Sequence, residues 1–166
     1  LAIKACGKLQ KIGYKVHLNI IGEKPPWHSD EYKESLAKLI NESEMAEDVT
    51  FTGWVENPHA YLLNSNVFIL PSDTEGLPLS IIEAMALGLP CISTNVGGVP
   101  ELIENGKTGY IINPGSEYEL TQKLKFLIEN PSTCKKMGEE SRKRYETYFT
   151  KASFVKGVAG VLNTLK

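Results

Sequence analysis

Hydrophobic and polar positions along the chain fall into two alternating kinds of segment. Short runs of β-branched or apolar residues end in Gly, Pro or a polar residue, and longer segments with helical spacing follow them. That alternation predicts βα units: an α/β fold with a mainly parallel sheet flanked by helices. Residues 1–12 have the spacing of an amphipathic helix that closes near Gly13. Val16–Ile21 is the first predicted strand, ended by Gly22, and residues 23–28 form a loop with two prolines. Ser29 suits the N-cap of a helix across 30–44. Val49–Thr52 is a second short strand before Gly53. Asn57 and Pro58 suit the N-cap and first turn of a helix through Leu63.

Asn66–Leu70 is a near-continuous apolar run, the pattern of a strand covered on both faces. After the loop 71–76, a helix is expected from Pro78 to Leu87, stopped by Gly88. Pro90–Thr94 is the next strand, and Asn95–Pro100 a Gly-rich turn into a short helix, Glu101–Glu104. Asn105-Gly106 turns the chain into a last strand, Thr108–Ile112. From Ser116 onward the pattern is a helical C-terminal tail with breaks near Asn130-Pro131 and around Thr150.

Composition narrows the picture. With 166 residues, 42% of them hydrophobic, the chain can build one full-sized core, so residues 1–166 read as a single domain. Lys+Arg is 18 and Asp+Glu 20, a formal net charge of -2. A nucleic-acid partner is not expected, because a phosphate-binding surface normally brings an excess of basic residues. Cys6, Cys91 and Cys134 are far apart and match no ligand spacing. Neither a disulfide framework nor a zinc site is expected, and a reducing, cytoplasmic setting is the default. No apolar stretch approaches the roughly 18 residues of a membrane span. The chain opens on Leu1 in what reads as mid-helix, so further residues are expected upstream.

In open parallel sheets ligands bind outside the carboxyl ends of the strands, here the loops 22–28, 53–57, 71–77 and 94–99. The loop 71–77 is the most informative. It runs from an apolar strand into a helix, whose N-terminus offers unpaired N–H groups and the positive end of the helix dipole. Gly76 allows close approach, and Gly76, Leu77, Leu79 and Ser80 are the candidate amide donors for a phosphate. A plain strand–helix connection capped by Ser72, Asp73 or Thr74 is the other reading. Glu75 precedes the helix. Glu83 stands in the apolar run Ile81–Ala86, where a buried carboxylate would need a partner such as a cation, a backbone donor or a ligand diol.

The run from Glu75 through Pro90, EGLPLSIIEAMALGLP, resembles the E-x7-E region of retaining GT-B glycosyltransferases, and more narrowly family 4, also called group 1. Its flanks agree in order. Phe51–Val55 is similar to the family's F-x-G-x-V turn, and Asn66–Ser72 to its D-V-F-v-l-P-S strand. Thr94–Glu101 is similar to its T-x-x-G-G-x-P-E turn, and Asn105–Tyr110 to its N-G-x-x-G-x hairpin.

The resemblance implies the Rossmann-like C-terminal half of a GT-B fold, holding a UDP- or GDP-sugar donor. Glu75 would contact donor-sugar hydroxyls as the catalytic-site residue, Glu83 the ribose, and the Gly76–Ser80 turn the diphosphate. Trp54 and Val55 would lie beside the base. It further implies transfer with retention, without a metal or other cofactor, to a glycan or lipid-linked acceptor carried by an N-terminal domain absent from this sequence. The family's G-R strand and following Lys, which neutralise the diphosphate, have no counterpart here, so weak donor binding and an inactive isolated fragment are expected.

Other residues carry less. His17, His28 and His59 are dispersed and match no metal spacing. Trp27 could pack over the cleft, and Asn95, Gly97 and Gly98 could line it, although a tight turn also explains the glycines. Lys135, Lys136, Arg142, Lys143 and Arg144 read first as a solvated helix face. Contact with anionic lipid at a membrane periphery is the sharper reading. A nucleotide-sugar epimerase, a phosphorylase and a non-catalytic nucleotide-binding module are the alternatives. A dinucleotide module would want G-x-G-x-x-G, which Ile21–Lys24 does not supply.

Overall fold

The computed structural model describes residues 1–23 and 30–164. The expected cap at Ser29 and the loop residues Trp27 and His28 lie outside the described residues. The elements alternate as the pattern predicts. Helix α1 spans Ala2–Lys11, β1 Leu18–Ile20, α2 Asp30–Glu42, β2 Val49–Phe51 and α3 His59–Leu63. Then come β3 Phe68–Leu70, α4 Leu79–Ala86, β4 Cys91–Thr94, α5 Val99–Leu102 and β5 Gly109–Ile112. Three helices close the chain: α6 Glu117–Glu129, α7 Pro131–Tyr148 and α8 Lys151–Thr164.

All strand pairs are parallel, in two sheets rather than one. β1 pairs with β2, and β4 lies between β3 and β5. Among the described residues no ladder joins β1 to β3, so β3 is an edge. Ile69 packs against one core cluster and Phe68 and Leu70 against the other, as expected of a strand covered on both faces, and the open edge leaves all three half-buried. In β4, Cys91, Ile92, Ser93 and Thr94 are all buried.

Successive side chains of a strand point to opposite faces, and β4 divides the core accordingly. Ile92 packs with Ile3, Ala5, Cys6 and Leu9 of α1 and with Leu120, Leu124 and Leu127 of α6. Cys91 packs with Leu62 of α3, Ile81, Ala84 and Met85 of α4, and Val99 and Leu102 of α5. Helices therefore cover both faces of the three-stranded sheet. Burying these Leu, Ile and Met side chains stabilises the fold by about 1.5–3 kcal/mol each.

The short helices depart slightly from expectation. Pro58 is itself the N-cap of α3, and Asn57 Oδ1 accepts the His59 N–H at 3.0 Å. α5 begins at Val99 instead of Glu101 because Pro100 fits its first turn, where no N–H is needed. At the tail, Ser116 Oγ accepts the Glu119 amide and caps α6, and Pro131 opens α7. α8 has no buried residue, and Phe154, Val155, Val161 and Leu162 stand exposed along it.

Candidate nucleotide-sugar site

The site is built at the carboxyl ends of β3 and β4. β3 ends at Leu70, and the chain crosses residues 71–78 before entering α4. Two hydroxyls of β4 fix the start of that crossing. Ser93 Oγ donates to the Leu70 carbonyl at 2.8 Å, and Thr94 Oγ1 donates to the Ser72 carbonyl. Both hydroxyls belong to buried residues, where an unpaired donor would be costly.

α4 starts with Pro78 as its N-cap, in extended conformation, and no side chain caps it. The alternative of a connection capped by Ser72, Asp73 or Thr74 is thereby overturned. Pro78 contributes no N–H, and its side chain has no acceptor to offer. Among the described residues the amides of Gly76, Leu77, Leu79 and Ser80 make no backbone hydrogen bond. Gly76, Leu77 and Leu79 are exposed and Ser80 half-exposed. The first turn of α4 carries no acidic residue. Four amide donors at the positive end of a helix dipole are therefore left without a backbone partner or a side-chain cap.

A second loop sets their position. Gly98 N–H donates to the Gly76 carbonyl at 2.6 Å. A methyl group at Gly98 would stand 2.8 Å from Leu77 Cδ1 and 3.0 Å from the Gly76 oxygen. One at Gly97 would overlap the Glu75 carbonyl oxygen, and Gly97 also has φ +50°. These glycines are required by contact with the backbone of residues 75–77, beyond the needs of a tight turn. Turn chemistry alone could not reveal that, because their partner lies more than 20 residues away in sequence.

The structure brings Glu75, Gly76, Leu77, Leu79, Ser80 and Glu83 together in one continuous loop and helix. Glu75 is half-buried at the loop. Glu83 is exposed, which corrects the expectation of a buried carboxylate. The apolar run around it is buried through Ile81, Ala84 and Met85, whereas Glu83 shares the outer face with Leu79 four residues earlier. It needs no partner to offset burial and presents its carboxylate to solvent. Trp54 and Val55 follow β2 on the other sheet. Gly22 N–H donates to the Gly53 carbonyl at 3.0 Å, and Thr52 N–H donates to the Ile20 carbonyl at 3.1 Å, so the ends of β1 and β2 are tied together. Trp54 is 70% exposed and Val55 half-buried. Among the described residues no hydrogen bond or ring contact joins Trp54 to the α4 loop.

His17 precedes β1, with Nε2 2.9 Å from Thr50 Oγ1 and Nδ1 4.0 Å from Asp48. His59 opens α3. Among the described residues no group of three or more His, Cys, Asp or Glu is placed to hold a metal ion. The cysteines are free; burial pushes the Cys6 thiol up to about 11 and the Cys91 thiol up to about 12. Three members of the basic cluster are engaged locally. Arg142 pairs with Glu146 at 2.7 Å, Lys143 with Glu140 at 2.6 Å, and Arg144 Nε donates to the Leu102 carbonyl at 2.7 Å. No helix among the described residues is long and apolar enough to cross a membrane.

Residues 1–144 match the family model described as "Glycosyl transferases group 1". The capsular polysaccharide biosynthesis glycosyltransferase CapM of Staphylococcus aureus is 32% identical over 152 residues, which are 92% of this chain and 39% of that protein. A GDP-mannose-dependent alpha-(1-6)-phosphatidylinositol monomannoside mannosyltransferase of Mycobacterium tuberculosis is 33% identical over 143 residues, 76% of this chain and 37% of that protein. Among solved structures, Anabaena Alr3699/HepE in complex with UDP superposes with a TM-score of 0.88 at 21% identity. It covers 98% of this chain and 44% of its own. The chain thus spans about two fifths of the length of these relatives.

Proposed function

The chain belongs to the glycosyl transferases group 1 family, and from that premise we propose that it is the donor-binding part of a retaining, metal-independent glycosyltransferase. It holds a UDP- or GDP-sugar and serves transfer of the sugar to a glycan or lipid-linked acceptor. The remaining length of the relatives corresponds, in this proposal, to a portion of the enzyme that brings the acceptor. The names of the relatives support the donor class: one depends on GDP-mannose and a structural neighbour holds UDP.

The observation that carries the reading is the N-terminus of α4, which no side chain caps and whose flanking residues Gly76, Leu77 and Leu79 are exposed. A diphosphate accepts N–H bonds from Gly76, Leu77, Leu79 and Ser80 and lies at the positive end of the helix dipole. Glu83 stands four residues past Leu79, about 6 Å along the axis, where its carboxylate can accept from a ribose diol. Glu75 precedes the amide cluster and takes the donor-sugar hydroxyls. The exposed ring of Trp54 offers a face for the base.

The mechanism follows from these positions. Departure of the nucleoside diphosphate builds negative charge on its oxygens and oxocarbenium character at the anomeric carbon. Amide donors already aimed at the diphosphate stabilise the charge without reorganising at the moment of reaction. The Gly97–Gly98 turn keeps those amides aimed.

The test is incubation of the full-length protein with UDP- and GDP-hexoses, with and without EDTA, following nucleoside diphosphate release and product anomers by NMR. Consumption of one donor with retained configuration and no effect of EDTA is expected, with turnover lost in Glu75→Ala. An inverted product would refute retention, and loss of turnover with EDTA would refute metal independence. An epimerised free nucleotide sugar would replace transfer with epimerisation.

A further inference from the structure

The two short helices that present their N-termini at the site, α4 and α5, both end against one element, α7. α4 makes its last turn at Ala86, and Gly88 then turns the chain with φ +75°. The Ala84 and Met85 carbonyls accept from the amides of Leu87, Gly88 and Leu89, which leaves the Ala86 carbonyl without a local backbone partner. Arg142 of α7 donates Nη1 to the Ala86 carbonyl. Four residues earlier on the same face of α7, Gly138 lets the two backbones meet. A methyl group there would collide with the Gly88 carbonyl oxygen and stand 3.3 Å from Pro90 Cδ. α5 is held in the same way. Arg144 donates Nε to the Leu102 carbonyl and Nη2 to the Glu101 carbonyl, both at 2.7 Å. Its guanidinium also lies over the rings of Tyr148 and Phe149.

A cation at a helix C-terminus complements the dipole whose positive end faces the site. α4 has eight residues and α5 four, so each is too short to hold its own axis without packing. A tilt at the Arg142 end moves the Leu79 and Ser80 amides and the Glu83 carboxylate together. A tilt at the Arg144 end moves the Gly97–Gly98 turn on which Glu75 and Gly76 rest.

We propose that Arg142 and Arg144, with Gly138, are positioning residues that aim the donor-binding amides from the far ends of α4 and α5. This rests on the donor reading above. The cationic pair that sequence inspection assigns to a solvated face or a lipid surface is thereby given an inward role. Arg142 has 47% and Arg144 24% of its side-chain surface exposed.

The test is calorimetric titration of the full-length protein with UDP and with GDP, paired with the melting temperature of each variant. The variants are Arg142→Met, Arg142→Lys, Arg144→Met and Gly138→Ala, with Glu83→Ala as the control for the donor reading. Arg142→Met and Arg144→Met are expected to weaken the preferred diphosphate about threefold to tenfold, measured well below their melting temperatures. Arg142→Lys should recover most of the loss, because one N–H at the Ala86 carbonyl is enough. Wild-type binding that Glu83→Ala weakens, with Kd unchanged in both Arg→Met variants, would overturn the positioning role while leaving the donor reading intact. A wild-type protein that binds neither diphosphate, or binding that Glu83→Ala leaves untouched, would overturn both. Should Gly138→Ala fail to fold, the arginine variants still decide.

Discussion

The candidate site draws on two sheets that are built differently. On the three-stranded side, β4 is buried throughout, two of its hydroxyls hold the carbonyls of Leu70 and Ser72, and the Gly97–Gly98 turn lies against the backbone of residues 75–77. On the two-stranded side, β2 is mostly exposed, and Trp54 stands 70% open beyond a turn tied through Gly22 and Gly53. The first side fixes backbone amides, as the proposed stabilisation of a diphosphate would require. The second offers an aromatic face with few constraints, and stacking tolerates such freedom because every base has a π-face. On the donor reading proposed above, the fold separates an anion cradle held by backbone contacts from an open base platform.

The comparison breaks most directly at Gly97. Gly97→Val adds a branched side chain at positive φ against the Glu75 carbonyl, and it should cost about 3 kcal/mol of stability together with detectable nucleotide binding. Urea unfolding and UDP titration measure the two effects, and an unperturbed variant would show that the cradle is not held this way. Glu83→Ala comes next. Loss of a hydrogen bond to a charged group is worth about 1.5–3 kcal/mol, so diphosphonucleoside affinity should fall roughly tenfold to a hundredfold. Its melting temperature should not move, because the side chain is exposed.

Trp54→Ala sharpens the other half of the contrast. Loss of a stacked base costs about 1–3 kcal/mol of binding, and the low end is expected for an open platform. Inorganic pyrophosphate should bind the variant and the wild type equally, since it has no base to stack.

The smallest effect lies away from the site, at Glu119. The backbone N–H of Asn113, at 2.9 Å, and then its side-chain amide, at 2.7 Å, hold the Glu119 carboxyl below its usual value. A depressed folded pKa stabilises the fold above the ordinary carboxylate value and loses that contribution as pH falls through the folded one. Glu119→Gln should therefore flatten the acid limb of the stability–pH curve slightly, without moving nucleotide affinity.

Much of this organisation is legible in the sequence. Alternating apolar runs give the element order because period and punctuation are local properties. The Glu75–Ser80 turn is legible because a glycine before a proline-led helix announces free amides. Glu83 is misread as buried, since a run of apolar neighbours does not say which face of a helix a residue occupies; Leu79 and Glu83 share the outer face, while Ile81 and Met85 turn inward. The order of strands is equally non-local, so the central place of β4 and the edge place of β3 emerge only in three dimensions. The arginines of α7 read as surface because their acceptors, the carbonyls of Ala86, Glu101 and Leu102, are backbone atoms that no side-chain pattern reveals. A signal was present in Gly138, an isolated glycine inside a helix, which marks close packing.

The central claim is that the free amides at the start of α4 receive the donor diphosphate. Its most direct test is the backbone amide NMR spectrum of the isotopically labelled protein on titration with UDP or GDP. The account predicts that the largest saturable shifts occur at Gly76, Leu77, Leu79 and Ser80, with smaller ones at Gly97 and Gly98. Saturable shifts that leave those four amides unmoved and cluster elsewhere on the chain would contradict it.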